Sequence, residues 1–152
     1  MKVLVINGPN LGTLGRREPE VYGTRTLADL EAMLAGRARD LGLEVSCKQS
    51  NHEGQLIDWI ESERSDAIVI NPGALSHYSL ALADALRGSG KPVVEVHISN
   101  VFSREHERHR MVTASAAKGV ISGLGFEGYL AALEYLRSLL PPRVGDGGSV
   151  AG

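Results

Sequence analysis

Short apolar runs alternate with longer amphipathic segments along most of this chain, and this alternation restricts the fold more than any other feature of the sequence. Apolar residues at steps of three and four predict helices over 27–41, 55–63, 79–87 and 126–140. Five other runs are typical of strands: Val3–Asn7, Glu44–Gln49, Ala67–Asn71, Pro92–His97 and Gly119–Ser122. Such an alternation favours an α/β fold, in which helices cover both faces of a parallel sheet.

Five strands connected in this way fit a single flavodoxin-like domain with a five-stranded parallel sheet in the order 2-1-3-4-5. The chain has 152 residues, a length typical of one domain. We therefore assign residues 1–140 to one domain. Residues 141–152 are rich in proline and glycine and contain little to bury, so we expect a disordered tail there.

Composition argues against several classes of partner. The net charge is −2 and there is no basic stripe, so nucleic acid is not expected to bind. No apolar run approaches the roughly 20 residues that a membrane-spanning helix needs, and the first residues lack the pattern of a signal peptide. Cys47 is the only cysteine, which rules out an intrachain disulfide and fits a reducing, cytoplasmic location. The common spacings of metal ligands are missing from the sequence, so we expect no metal.

Three segments lie where the predicted fold would place a ligand. In open parallel sheets, ligands bind beyond the carboxyl ends of the strands, near the point where the strand order reverses. The first segment, 7–23, is long for a connection between a strand and a helix, and long connections often act as lids. The second is 71–79, and the third is 95–100, which Arg104 and Arg108 follow.

Most residues of these segments also have a purely structural interpretation. The glycines of the first segment could simply shape turns, because their spacing matches neither the dinucleotide nor the phosphate-loop motif. Asn71 could be a turn residue, His77 could face water, and the two arginines could lie on a solvated helical face. Glu95 and His97 are harder to explain, because they alternate on one face of a strand that should be apolar. Titrating side chains cost free energy there unless they are paired.

Together the side chains allow acid–base chemistry beside a carbonyl group. Tyr22 can act as a base if a guanidinium lowers its pKa from about 10. His97 can act as an acid whose tautomer is set by Glu95. Asn71 can donate a hydrogen bond to negative charge that develops on an oxygen, directly or through water. Backbone N–H groups just after His97, with an arginine nearby, can hold a carboxylate. The combination suits proton abstraction next to a carbonyl, followed by loss of a hydroxyl.

Several segments resemble, in order, those of type II 3-dehydroquinate dehydratases. They are Ile6–Leu11 with Gly15–Pro19 and Val21–Gly23, Gln49–Asn51 with Glu53–Gly54, Asn71–Ala74, and Glu95–Asn100. The resemblance extends from about Val3 to Leu140. It implies a catalytic domain of the shikimate pathway, a hydro-lyase that converts 3-dehydroquinate to 3-dehydroshikimate through an enolate. It also implies that no Schiff base, metal or other cofactor takes part.

The resemblance further implies a catalytic role for each matching position. Tyr22 would remove the proton beside the ketone, and Arg17 would lie next to it on the lid and favour the phenolate. His97 would donate a proton to the departing hydroxyl, which Asn10 would also contact, and Glu95 would orient the histidine.

Other positions are implied to bind substrate, and the resemblance implies an assembly as well. Asn71 and a bound water would stabilise the enolate, and Ile98 and Ser99 would bind the carboxylate. The substrate hydroxyls would be bound by His77, Arg108 and Asp84, with Asp84 supplied by a neighbouring subunit. Arg104 matches a second arginine of the lid region. The family forms dodecamers built from trimers, so we expect a homo-oligomer.

The chain departs from the family pattern at a few positions, none of which is the implied acid or base. Threonines are expected at the positions of Ser76 and Tyr78, and other residue types at those of Phe102, Glu107 and Met111. Glu107 could pair with its neighbour Arg108 and weaken the contact of that arginine with a substrate hydroxyl.

Two other interpretations of the fold stay open at this point. The chain could be a non-catalytic flavodoxin-like module that binds an anionic metabolite or a nucleotide. Such a module would need the sheet and the glycine-containing loop, but not Tyr22, Glu95 or His97. A phosphorelay receiver domain is less favoured, because Asn7 and Asn71 stand where it needs acidic residues.

Overall fold

A five-stranded parallel sheet forms the centre of the molecule in a computed structural model that describes residues 1–141. Its strands are β1 (Lys2–Asn7), β2 (Glu44–Gln49), β3 (Ala67–Asn71), β4 (Val93–His97) and β5 (Gly119–Ser122). The order β2-β1-β3-β4-β5 confirms the predicted topology, with the switch between β1 and β3. The predicted tail lies outside the described residues, apart from Pro141.

Helices cover both faces of the sheet, as the alternating pattern predicts. They are α1 (Pro19–Tyr22), α2 (Leu27–Leu41), α3 (Glu53–Ser62), α4 (Leu80–Gly88) and α5 (Glu127–Ser138). Helices α2 and α5 pack against one face and α3 and α4 against the other, each with its own buried apolar cluster. Alternate residues of β1 divide between the two clusters: Val3 and Val5 face the first, and Leu4 and Ile6 face the second.

The start of α2 is fixed by a reciprocal pair of hydrogen bonds. The hydroxyl of Thr26 accepts from the backbone N–H of Asp29 at 3.2 Å, and the carboxylate of Asp29 accepts from the backbone N–H of Thr26 at 2.9 Å. These contacts lower the pKa of Asp29, chiefly through the bond from the Thr26 backbone. At the other end, Gly42 adopts φ 70°, a left-handed conformation that favours glycine.

The loops that follow β1 and β3 are in direct backbone contact. Asn7 lies opposite Asn71 in the register of the two strands, and the N–H of Gly8 donates to the carbonyl oxygen of Asn71 at 2.8 Å. A Cβ atom at Gly8 would lie 2.5 Å from the carbonyl oxygen of Pro72. Only glycine allows this approach, which brings the two loops together at the carboxyl edge of the sheet.

Cys47 lies partly buried on the edge strand β2. Burial, together with the nearby carboxylate of Glu31, raises the pKa of the Cys47 thiol to about 12. Within residues 1–141, none of the helices combines the length and the apolar character that crossing a membrane would require.

Candidate functional site

A cleft opens at the carboxyl ends of β1, β3 and β4. Most of the predicted site residues line it: Asn10, Arg17, Tyr22, Asn71, His77, His97, Ile98, Ser99 and Arg108. Arg104 also lines the cleft, with several residues of the loops after β1 and β3. The sheet therefore gathers predicted site residues that are up to 98 positions apart in the sequence, from Asn10 to Arg108.

Tyr22 lies at the end of α1 between two arginines that contact it differently. Nη1 of Arg104 donates to the Tyr22 hydroxyl oxygen at 3.0 Å. The guanidinium carbon of Arg17 lies 4.7 Å from the centre of the Tyr22 ring, and Nη2 of Arg17 is 3.3 Å from a carboxylate oxygen of Glu18. Arg17 thus lies next to Tyr22, over its ring and beside Glu18, and the hydroxyl itself is contacted by Arg104.

The hydrogen bond between Arg104 and Tyr22 also favours the charged form of Arg104. The hydrogen bond to Tyr22 raises the pKa of Arg104 above its ordinary value. Arg104 is mostly buried in the wall of the cleft, where its Nη1 also donates to Oγ of Ser99 at 3.3 Å. One guanidinium therefore connects the lid that carries Tyr22 with the end of β4.

His97 and Glu95 form a buried pair behind the cleft. Nε2 of His97 is 2.7 Å from Oε2 of Glu95, and both side chains are almost completely buried. The carboxylate also accepts hydrogen bonds from the hydroxyls of Ser76, at 2.9 Å, and Thr113. Because Nε2 faces Glu95, the proton on that nitrogen fixes the tautomer and leaves Nδ1 for the cleft. Both carboxylate oxygens of Glu95 therefore have hydrogen-bond partners. Glu95 orients His97 but does not line the cleft itself.

His77 and Arg108 also line the cleft. Nδ1 of His77 lies 2.6 Å from the carbonyl oxygen of Arg110, and the His77 ring stacks on that of His97 with 6.4 Å between centroids. Nε of Arg108 donates to Glu105 at 2.8 Å. The partner of Arg108 among the described residues is thus Glu105, three residues before it, and not its neighbour Glu107, which the sequence left possible.

The end of β4 offers donors for an anion. Among the described residues, the backbone N–H groups of Ile98 and Ser99 have no backbone acceptor. The hydroxyl of Ser99 and the guanidinium of Arg104 lie beside them. Backbone N–H groups and a fixed positive charge are the usual ligands of a carboxylate.

Asn71 is buried at the floor of the cleft, and its side-chain amide is held at both ends. Nδ2 donates to the hydroxyl of Tyr129 at 2.9 Å, and Oδ1 accepts from the backbone N–H of Gly73 at 3.1 Å. The Tyr129 hydroxyl in turn donates to Oδ1 of Asn7 at 2.6 Å. The amide of Asn71 therefore has one defined orientation.

Asn10 is held by its backbone and lines the cleft, and within residues 1–141 its side chain has no hydrogen-bond partner. It adopts φ 70°, which is uncommon for residues other than glycine. Its N–H donates to Oδ1 of Asn51 at 3.0 Å, and that oxygen also accepts from Nε2 of Gln49 at 3.1 Å. Gln49 reaches on to the carbonyl oxygen of Gly8 at 3.2 Å. The Gln49–Asn51 segment thus anchors the start of the loop that carries Asn10.

Asp84 is the one predicted binding residue that lies away from this cleft. It is exposed on α4, where its carboxylate is 3.4 Å from Nη1 of Arg87, and it borders a separate surface depression between α3 and α4. Asp84 is therefore not part of the lining of the cleft in its own chain.

Sequence reasoning missed the residues that hold the cleft side chains in place. Ser76 was noted only as a departure, and Thr113, Tyr129 and Asn7 were given no role. Arg104 was recognised by its match to a lid arginine, but its contact with Tyr22 was not expected. Thr113 lies in a short 3-10 helix without a recognisable motif, so only the fold reveals its contact with Glu95.

The cleft combines groups that can move protons with groups that can bind negative charge. A phenol beside a guanidinium and an imidazole beside a carboxylate can serve as base and acid. Unpaired backbone N–H groups and an oriented amide can receive a carboxylate and an enolate oxygen. The described residues contain no cluster of histidine, cysteine and carboxylate side chains that could hold a metal ion.

The chain is similar to known dehydroquinases over nearly its whole length. It matches the family model Dehydroquinase class II over residues 1–137. A 3-dehydroquinate dehydratase of Deinococcus radiodurans is 55% identical over 141 residues, which cover 91% of this chain and 99% of the relative. One of Roseiflexus castenholzii is 56% identical over 138 residues, or 90% of this chain and 88% of the relative.

A solved structure gives the same result. The crystal structure of the type II dehydroquinase from Propionibacterium acnes superposes with a TM-score of 0.87 at 48% identity, covering 90% of this chain and 96% of that one. The family model and the curated relatives span the strands, the lid and every segment of the cleft. This chain therefore belongs to the class II dehydroquinase family.

Proposed function

We propose that this protein is a type II 3-dehydroquinate dehydratase, a hydro-lyase that removes water from 3-dehydroquinate to give 3-dehydroshikimate. The observation that supports it best is the convergence of two paired groups on one cleft. Tyr22 with Arg104 and His97 with Glu95 both reach the cleft at the carboxyl edge of the sheet. A non-catalytic module would have no need of either pair.

Tyr22 is the proposed base that takes the proton beside the ketone. Its oxygen accepts a hydrogen bond from Arg104, and a guanidinium in that position stabilises the negative charge of the phenolate. Arg17 adds a second positive charge over the ring. The lid that carries Tyr22 also lies over the cleft, which restricts the access of water to the reacting atoms.

The enolate that follows proton removal is stabilised by Asn71. The amide nitrogen carries two hydrogens, and Tyr129 accepts only one of them. The second can be donated to the enolate oxygen or to a water bound there. The substrate carboxylate binds at the backbone N–H groups of Ile98 and Ser99, next to Arg104.

His97 donates the proton that accompanies the departing hydroxyl. Glu95 fixes the ring with Nδ1 toward the cleft and stabilises the imidazolium form while the proton is held. Asn10 contacts the same hydroxyl with its free side chain. His77 and Arg108 bind the remaining hydroxyls of the substrate.

We further propose that a neighbouring subunit supplies Asp84 and that the protein forms trimers, which assemble into a dodecamer in the cytoplasm. Asp84 lies on the surface of α4 and outside the cleft of its own chain, so it can serve the substrate only across a subunit contact. In the proposed assembly, each of the twelve sites would therefore be completed by an Asp84 from a neighbouring subunit.

An absorbance assay tests the proposed function directly. Mixing the protein with 3-dehydroquinate should produce the ultraviolet absorption of a conjugated enone, and the double variant Tyr22→Phe, His97→Ala should produce none. Absence of the signal with the wild-type protein, together with measurable binding of the compound, would instead favour a non-catalytic binding module.

A second assay tests the absence of an imine. The lysines of the described residues lie outside the lining of the cleft, and Schiff-base catalysis needs a desolvated lysine at the reacting carbon. Borohydride added together with substrate should leave the activity intact. Inactivation that depends on both substrate and borohydride would contradict this mechanism.

A further inference from the structure

A chain of three buried side chains runs from Asn71 at the end of β3 to Tyr129 on α5 and back to Asn7 at the end of β1. Asn71, Tyr129 and Asn7 are all almost completely buried. The hydrogen bonds between them measure 2.9 Å, from Asn71 to Tyr129, and 2.6 Å, from Tyr129 to Asn7. Burial raises the pKa of Tyr129 above its ordinary value, so its hydroxyl is protonated and acts as donor and acceptor at once.

The direction of this chain is set by a group that cannot reverse. The backbone N–H of Gly73 donates to Oδ1 of Asn71 at 3.1 Å, and a backbone amide can only donate. With Oδ1 held there, Nδ2 of Asn71 faces Tyr129, whose hydroxyl must accept on that side and donate to Oδ1 of Asn7. Each link therefore dictates the next, from Gly73 to Asn7.

The far end of the chain carries an unmet donor. Nδ2 of Asn7 is buried and has no hydrogen-bond partner among the described residues. Turning the Asn7 amide over would place this nitrogen against the Tyr129 hydroxyl. Tyr129 would then have to donate toward Asn71, whose Nδ2 is itself a donor. The Tyr129 hydroxyl needs an acceptor at Asn7, so Oδ1 of Asn7 faces it. The Nδ2 of Asn7 is left without a partner as a consequence.

We propose that Tyr129 and Asn7 are positioning residues that act on the reaction through Asn71. They hold the Asn71 amide with one N–H directed away from Tyr129, so that it is available to the enolate oxygen or its water. Neither residue lines the cleft. The inference rests on the proposed function and extends it to two residues of the buried layer.

A double-variant cycle on turnover separates positioning from general support of the fold. Asn71→Ala should lower kcat by about 10²-fold, the scale for loss of one oxyanion donor. Tyr129→Phe keeps the ring and should lower kcat by about tenfold, with KM changed less than about threefold. In the double variant, kcat should lie within about twofold of Asn71→Ala alone, because Tyr129 has nothing left to position.

Tyr135→Phe provides a matched control, since Tyr135 lies on the same helix and is 41% exposed. It should leave kcat and KM unchanged. If Tyr129→Phe does not fold, which circular dichroism and thermal unfolding would show, the same cycle is run with Asn7→Ala, which breaks the chain at its far end. Asn7→Ala should also lower kcat in the wild-type background and have no added effect on Asn71→Ala.

Three results would overturn the proposal. Full turnover in both Tyr129→Phe and Asn7→Ala would exclude a positioning role. Losses in the double variants that multiply would show that the residues act independently of Asn71. A wild-type protein that does not dehydrate 3-dehydroquinate would remove the proposed function and this inference with it, whereas an active wild type with multiplying losses would remove the inference alone.

Discussion

Tyr22 is the residue on which the proposed mechanism depends most, because it is the proposed base and its hydroxyl accepts a hydrogen bond from Arg104 in the cleft. Tyr22→Phe keeps the ring and its stacking under Arg17 but removes the proton acceptor. We expect kcat to fall by roughly 10²-fold or more, with substrate binding and thermal unfolding nearly unchanged. Steady-state kinetics measures kcat and KM, and calorimetry measures thermal unfolding. Near-wild-type turnover would leave the reaction without an identified base.

The two arginines beside Tyr22 should differ in their effect on turnover. Arg104 donates to the phenol oxygen, whereas Arg17 contacts the ring face and is drawn to Glu18. Arg104→Ala should therefore lower kcat by at least about tenfold more than Arg17→Ala. Equal losses in the two variants would show that the hydroxyl contact has no special importance. Arg16→Ala, at an exposed position next to Arg17, serves as the control.

The Glu95 carboxylate should be sensitive to its hydroxyl donors. Thr113→Val preserves shape but leaves one oxygen of a fully buried carboxylate without its donor. We expect a loss of about 1–3 kcal/mol in the free energy of unfolding and a fall in kcat, because Glu95 then holds His97 less firmly. Thr24→Val, at an exposed position, should change neither quantity. An unchanged urea midpoint for Thr113→Val would argue against this contact.

At the scale of elements, the predicted strands and the four longer helices match the structure to within a few residues. Long periodic patterns and buried β-rich runs carry enough signal for this. Helix α1 was not predicted, because four residues are too few to show a helical periodicity. The residue just before it, Glu18, also adopts a left-handed conformation that the sequence does not indicate. The contact between Arg104 and Tyr22 joins segments 82 residues apart and depends on how the lid folds back over β4.

The capping contact of α2 should make stability depend on acid. The pKa of Asp29 is lower in the folded protein than its ordinary value of 3.8. The carboxylate of Asp29 therefore adds to the free energy of unfolding in full above pH 3.8, and this stabilisation is lost as the pH falls through the pKa of the folded protein. Asp29→Asn should therefore lower the thermal unfolding midpoint at pH 7 and have less effect at pH 3. Asp40→Asn, at the opposite end of the same helix, should not show this pH dependence. If the unfolding midpoints of Asp29→Asn and wild type differ by the same amount at pH 7 and pH 3, the predicted pH dependence is wrong.

At the scale of the whole molecule, a five-stranded sheet gathers the cleft from three loops but leaves two predicted residues out of its lining: Glu95, which is buried behind it, and Asp84, which is exposed on α4. The sequence could indicate which strand ends would carry the site, because parallel strands place their carboxyl ends on one edge. It could not indicate which side chains hold others in place, since Thr113, Tyr129 and Asn7 act through contacts that only the packed layers create.

The proposed role of Asp84 in a neighbouring cleft ties substrate binding to assembly. We expect light scattering to report a closed homo-oligomer built from trimers, and a stable, fully active monomer would contradict this. Asp84→Ala should raise KM severalfold with little change in thermal unfolding, because the exposed pair of Asp84 with Arg87 contributes only about 0–1 kcal/mol. Arg87→Ala removes the same ion pair and should leave KM unaltered, which separates the two roles.

The high pKa of Cys47 makes its thiol react very slowly with thiol reagents. Thiolates are the reactive form, and a thiol with a pKa of about 12 holds almost none of it at neutral pH. A second cysteine introduced at the exposed position of Glu20 on α1 would therefore react far faster than the native one. A fluorophore attached there would sit two residues from Tyr22 and would report, through its changing surroundings, when the short helix moves during a catalytic cycle.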